Sequence, residues 1–150
     1  GNAYVEQLKA AVASENAQVI IISAAIEADI AQLESEEDRA VFLADMGLTE
    51  SGLNKLTRAA YSLLDLYTYF TAGVQEVRAW TITKGMKAPQ AAGVIHSDFE
   101  RGFIRAEVIG YDDYIKYKTE AACREAGRLR LEGKEYIVQD GDVMHFRFNV

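Results

Sequence analysis

The side chains able to do chemistry are few, and their spacing excludes several reactions. His96 and His145 are far apart, neither has a second His or Cys three or four positions on, and Cys123 stands alone. No metal constellation can be read from such a set, so the histidines read as core or surface residues. Partners of a Ser-His-Asp or Cys-His site need not be sequence neighbours, so spacing alone leaves that chemistry open. However, no nucleophile elbow is present, and Cys123 follows Ala121 and Ala122, as a small buried side chain would. A P-loop needs G-x-x-x-x-G-K-[ST], because backbone N–H groups cradle phosphates, Lys meets their charge and Ser/Thr holds Mg²⁺. The Gly133-Lys134 pair is followed by Glu135 and lacks the earlier glycine, and Lys84 to Lys87 (K-G-M-K) fails the spacing too. These residues cannot build a triphosphate site.

Four weaker signals remain. The acids Glu34, Glu36, Glu37 and Asp38 could hold a cation, but a helix start, where the dipole favours negative charge, explains them better. Tyr61, Tyr67, Tyr69 and Phe70 could stack bases, yet their place at a helix end and over a domain junction suits packing. Among the basic groups of the second half, Arg78, Arg101, Arg105, Arg128, Arg130 and Arg147 are mostly interleaved with acids, as on an ordinary mixed surface. Lys84 and Lys87, in an exposed turn, are the candidates for RNA phosphate contacts. Ser23 and Ala24, with Glu27 nearby, follow the apolar run Ala17 to Ile22. Ligands of open α/β sheets bind at that end of a parallel strand.

The elements that must position these groups can be read from pattern and punctuation. Ala3 to Ser14 has Val5, Leu8 and Val12 at helical spacing. Ala17 to Ile22 reads as a strand covered on both faces. Ser35 caps a helix with Asp38 in the capping-box position, and Gly47 stops it. Thr49 caps a further helix bearing Leu53, Leu56, Ala60, Leu63, Leu64 and Tyr67. One strand among helices is not a complete fold, because its edges lack partners. Residues 1–67 therefore read as the tail of an α/β domain or, alternatively, as a helical module with one embedded strand.

Beyond that point short strands dominate. They are Val74 to Thr83, Phe103 to Val108, Leu129 to Leu131, Tyr136 to Val138 and Val143 to Asn149, with helical pieces at Asp112 to Lys118 and Glu120 to Ala126. Between them, His96, Ser97 and Asp98 offer capping groups and Gly102 ends the turn. Met144, Phe146 and Phe148 are expected inside the core. The pattern predicts a small α+β sheet.

Composition agrees with a globular chain of one or two small domains: 150 residues, 49% hydrophobic, one proline. No apolar run is long enough to cross a bilayer, and no signal peptide pattern opens the sequence. A single cysteine is compatible with a reducing cytoplasm. Of the net charge of −7, all lies in residues 1–67, with four basic groups against eleven acids; residues 68–150 carry twelve of each. Acidity argues against nucleic-acid binding by the first part, and the neutral second part removes that objection.

Four segments together resemble one family. They are S-A-A-I-E at Ser23 to Glu27, Y-F-T-A-G-V-Q-E-V-R-A-W-T at Tyr69 to Thr81, A-P-Q-A-A-G-V-I-H-S-D-F-E-R-G-F-I-R-A-E at Ala88 to Glu107, and the closing Q-D-G-D-V-M-H-F-R-F-N-V. They resemble the C-terminal part of the YchF-type, Obg-like P-loop ATPases/GTPases, over the whole chain. The resemblance implies that 1–67 ends an OBG-type nucleotide-binding domain and that 68–150 is a TGS domain of ubiquitin-like β-grasp fold. It implies a cytoplasmic parent that hydrolyses ATP or GTP with Mg²⁺ and associates with ribosomes. The TGS domain would act on RNA, the ribosome or a protein, and no membrane is involved. Ser23 and Ala24 would lie at the purine base, as a Ser-Ala element does in small GTPases. The P-loop, switch elements and base-specificity motif would precede residue 1, so this chain alone is expected to be inactive and cofactor-free, with neither catalytic residues nor metal. The other reading is a free-standing β-grasp adaptor that binds proteins without nucleotide.

Overall fold

The computed structural model describes residues 2–15, 17–73 and 76–149. They form two compact units, 1–63 and 64–150.

The first unit holds four helices: α1 (Ala3–Ala11), α2 (Ala24–Gln32), α3 (Glu36–Asp45) and α4 (Gly52–Leu63). Each begins on a side chain that can accept from an orphan N–H, as helix starts require. The Asn2 carboxamide accepts from Val5 N at 3.0 Å. Ser23 Oγ accepts from Ile26 N at 3.4 Å. Ser35 Oγ accepts from Asp38 N at 3.0 Å and its hydroxyl donates back to Asp38 Oδ2 at 2.7 Å. The acids around Ser35 thus sit where expected, in the first turn of α3. Gly47, at φ +67°, closes that helix in the left-handed conformation glycine tolerates. The cap of α4 is Ser51, accepting from Asn54 N at 3.1 Å, instead of Thr49.

One expectation fails here. Residues 17–22 are neither strand nor helix, and no described residue pairs with them. A strand exists only through its neighbour's hydrogen bonds, and every paired strand of the described chain lies at or beyond Leu66. An apolar, β-branched composition does not by itself create a partner. α2, rich in alanine, was not anticipated.

The second unit is an α+β domain built on a mixed five-stranded sheet. Strands β1 (Leu66–Ala72) and β2 (Val77–Thr83) form an antiparallel hairpin, in register from Leu66↔Thr83 to Ala72↔Val77. Two expectations change with it. Tyr67, Tyr69 and Phe70 belong to a strand, not to a helix end, and the expected junction at 67/68 falls inside β1. Residues 74 and 75 of the expected Val74 to Thr83 strand lie outside the described residues.

Helices α5 (Ala88–Ile95) and α6 (Ser97–Arg101) lead to β3 (Phe103–Ile109); α7 (Tyr111–Tyr117), α8 (Glu120–Glu125) and the short β4 (Arg130–Glu132) follow; β5 (Val143–Phe148) ends the sheet. The strand order is β2-β1-β5-β3-β4, with β5 parallel to β1 and antiparallel to β3. The expected strand at Tyr136 to Val138 is reduced to one bridge, Lys87↔Ile137.

Alternation along the strands sorts side chains between the two faces. On one face Tyr69, Ile82, Phe103, Ala106, Val108, Met144 and Phe146 pack under α5, whose Ala88, Ala91 and Ala92 are fully buried. Alanines let the helix lie close enough for the Tyr69 hydroxyl to donate to the Ala91 carbonyl at 2.9 Å. On the other face α7 and α8 cover Ile109 and Val143, with Cys123 of α8 buried against them. Met144 and Phe146 are core residues as expected; Phe148 is 36% exposed and stacks on Phe99 at 3.8 Å between centroids. No helix among the described residues is long and apolar enough to cross a membrane.

Candidate functional site

Ser23 and Ala24 sit at the start of α2, both exposed, with Ser23 in extended backbone (φ −101°, ψ 110°). Three residues on, Glu27 turns away toward another helix. Its Oε1 accepts from Gly52 N at 2.7 Å and its Oε2 from Leu53 N at 3.3 Å. Sequence reasoning placed Glu27 only near a ligand. Its role in the structure is to satisfy two orphan donors of α4 and complement the positive end of that helix. A contact spanning 25 positions has no local signature, so no sequence signal could have found it.

The same unit contains a cleft of about 530 Å³ along residues 18–21, lined on its other side by α4. Lys9, Lys55 and Arg58 contribute cations to it. Two of these are engaged: Lys9 Nζ with Glu6 at 3.0 Å, and Arg58 with both carboxylate oxygens of Glu50, at 2.5 and 3.2 Å. Ser23 and Ala24 do not line this cleft.

Lys84 and Lys87 lie in the second unit, on a turn between β2 and α5. Met86 N donates to Thr83 O at 3.1 Å, and Gly85 has φ +90°, which explains the glycine there. The ammonium of Lys84 stands 5.7 Å from the Tyr67 ring centroid. That of Lys87 pairs with Glu135 at 2.6 Å, while the Lys87 N–H donates to Gln90 Oε1 at 2.9 Å. Both side chains are exposed, and among the described residues only Lys87 has its charge met by a carboxylate.

The remaining ionisable groups explain structure. Asp142, 3% exposed, accepts from the Tyr136 hydroxyl at 2.8 Å and from Gln139 N at 2.9 Å, and faces Arg130 at 3.5 Å. Burial, then the Asp142 contact, pushes the Tyr136 phenol up. Burial alone does the same for Tyr69. Burial also raises the Cys123 thiol, with Asp113 and Glu120 adding to it, which is the opposite of an activated nucleophile. His96 Nδ1 accepts from Asp98 N at 3.2 Å, so this histidine is a cap for α6. Asp98 is held below the usual carboxylate range by its bond to Arg101, with His96 a lesser contributor. Among the described residues no group of three or more His, Cys, Asp or Glu side chains is placed to hold a metal ion.

Comparison with known proteins extends over the entire chain. A protein from Bacillus subtilis described as a ribosome-binding ATPase YchF is 61% identical over 150 residues, all of this chain and 41% of that protein. One of the same description from Haemophilus ducreyi is 61% identical over 149 residues, again 41% of its length. The solved structure of the Schizosaccharomyces pombe YchF GTPase superposes with a TM-score of 0.81 at 41% identity, covering 97% of this chain and 39% of that one. The chain thus spans about two fifths of the relatives it matches. Residues 66–149, the sheet domain, match the family model YchF-GTPase_C, described as "Protein of unknown function (DUF933)". With more than half of its residues in that match, and with the first unit aligned in the same relatives, the chain belongs to the YchF family and corresponds to its C-terminal part.

Proposed function

We propose that the chain is the ribosome-facing end of a YchF-type nucleotide hydrolase, and that its second unit, a β-grasp TGS module, carries the docking. The observation behind this reading is the whole-chain match at about 60% identity to proteins named as ribosome-binding ATPases. The strand order β2-β1-β5-β3-β4, with α5 crossing between the hairpin and β3, fits a β-grasp. A match that includes the first unit favours this reading over a free-standing adaptor. Lys84 and Lys87 are the proposed phosphate contacts; opening the Lys87–Glu135 pair is a small cost for an exposed ion pair.

In the longer protein, Ser23 and Ala24 would border the purine and Mg²⁺ would accompany the triphosphate. This chain's own residues do not fit that role alone: its sequence has no P-loop, and its described acids form no metal cluster. We therefore assign no hydrolytic step to it. The location would be cytoplasmic.

Co-sedimentation of the 150-residue chain with purified ribosomes tests the proposal. Pelleting is expected at low salt and should decline as salt rises, because phosphate contacts release counterions. The double variant Lys84→Glu, Lys87→Glu should pellet less. A folded chain that stays in the supernatant at low salt would overturn the docking role.

A further inference from the structure

The face of the sheet away from α5 is only partly covered by α7 and α8. Its open part carries an arrangement that stability does not explain. Arg105 on β3 lies directly opposite Arg147 on β5, and the next pair on the same face is Glu107 opposite His145. Like charges placed directly across a sheet are unfavourable. Glu107, only 8% exposed, draws in two guanidiniums: Arg147 at 3.4 Å and Arg124, from α8, at 3.6 Å. Glu120 also holds Arg124, at 2.9 Å. Both acids are thus taken up by two arginines, and Arg105 is left exposed with no ion pair among the described residues. Two guanidiniums thus meet one buried carboxylate, while Arg105, opposite Arg147, and His145, opposite Glu107, stand exposed on the same face.

We propose that this open sheet face binds single-stranded RNA, with Arg105 and Arg147 on the phosphodiester backbone and His145 as a stacking platform. The proposal deepens the ribosome-facing reading and rests on it, while naming a surface separate from the Lys84–Lys87 turn. Charge complementarity identifies the ligand as an anion. Guanidiniums, with their planar fork of donors, suit phosphate oxygens. Residues two apart on a strand are about 6.6–6.8 Å apart, so His145 and Arg147 can address neighbouring parts of an extended chain. A flat sheet face also lets unpaired bases lie on exposed rings. Glu107 acts as a positioning residue, fixing the Arg147 and Arg124 side chains from below.

The probe is a short fluorescent oligouridylate, titrated with the whole chain at several salt concentrations. Arg105 is exposed with no ion pair among the described residues, so Arg105→Glu should leave the fold intact, to be checked by circular dichroism. Affinity should fall about tenfold, the equivalent of one charge-assisted contact. Arg105→Ala should flatten the salt slope by about 0.7, one phosphate on a single strand, and Arg105→Lys should retain most of that slope. Wild-type affinity and slope in Arg105→Glu would overturn the proposal. So would displacement of the oligonucleotide by a poly-glutamate peptide at matching concentration, which would assign the face to an acidic protein partner. If Arg105→Glu pellets with ribosomes as well as wild type does, this inference falls and the docking role stands. If wild type binds neither ribosomes nor oligouridylate, both fall.

Discussion

Glu27 and Tyr69 show how single side chains organise each unit. The Glu27 carboxylate joins α2 to the start of α4 through two backbone donors, at 2.7 and 3.3 Å. Glu27→Ala should cost about 1 kcal/mol, as for loss of a helix cap, read as an earlier loss of helical signal in urea. Tyr69, fully buried, donates its hydroxyl to Ala91, and burial raises its phenol above the ordinary value of 10. The folded chain therefore keeps a proton that the unfolded chain gives up. That contribution is complete below about pH 10 and is lost as pH rises toward the folded value. Tyr136 acts in the same direction. Tyr69→Phe should cost about 1 kcal/mol at neutral pH and lose less stability than wild type above about pH 10. Urea midpoints on either side of that pH check it; parallel losses in both proteins would contradict it.

Among the elements, caps and turns were the most legible in sequence, since their physics is local. Ser35 with Asp38, Gly47, the His96 region and Gly102 all fall where their chemistry predicted. Alternation located β3 and β5, although a register shift between Phe103 and Arg105 leaves Ile104 exposed. What failed were features that depend on distant partners. The segment 17–22 has strand composition but no ladder. The Tyr67 to Phe70 stretch, given to a helix end, is a strand because β2 pairs with it. The Arg105–Arg147 pairing required the β3–β5 register, which no spacing rule supplies. Gly52 is another long-range effect: a Cβ there would lie 2.8 Å from both Glu27 Oε1 and Ile22 Cγ2. Gly→Ala within a helix ordinarily gains up to about 1 kcal/mol, the full amount only in its interior, and Gly52 is the first residue of α4. Gly52→Ala should instead destabilise, by displacing the Glu27 cap. A raised urea midpoint would contradict this.

On the scale of the whole molecule, the two units differ in how much they bury. Every buried apolar side chain of the described residues belongs to the second unit, whereas Ile21, Leu53 and Leu63 of the first are more than half exposed. Hydrogen exchange should therefore find slow amides in β3 and β5 and fast ones throughout α1 to α4. The same method, applied with and without purified ribosomes, tests the central claim most directly. If the sheet unit docks the chain, ribosomes should slow exchange at residues 83–87 and along the open face of β3 and β5, and leave α1 to α4 unchanged. Slowing confined to residues 2–63, or absent from both units under conditions where the chain pellets, would contradict the account.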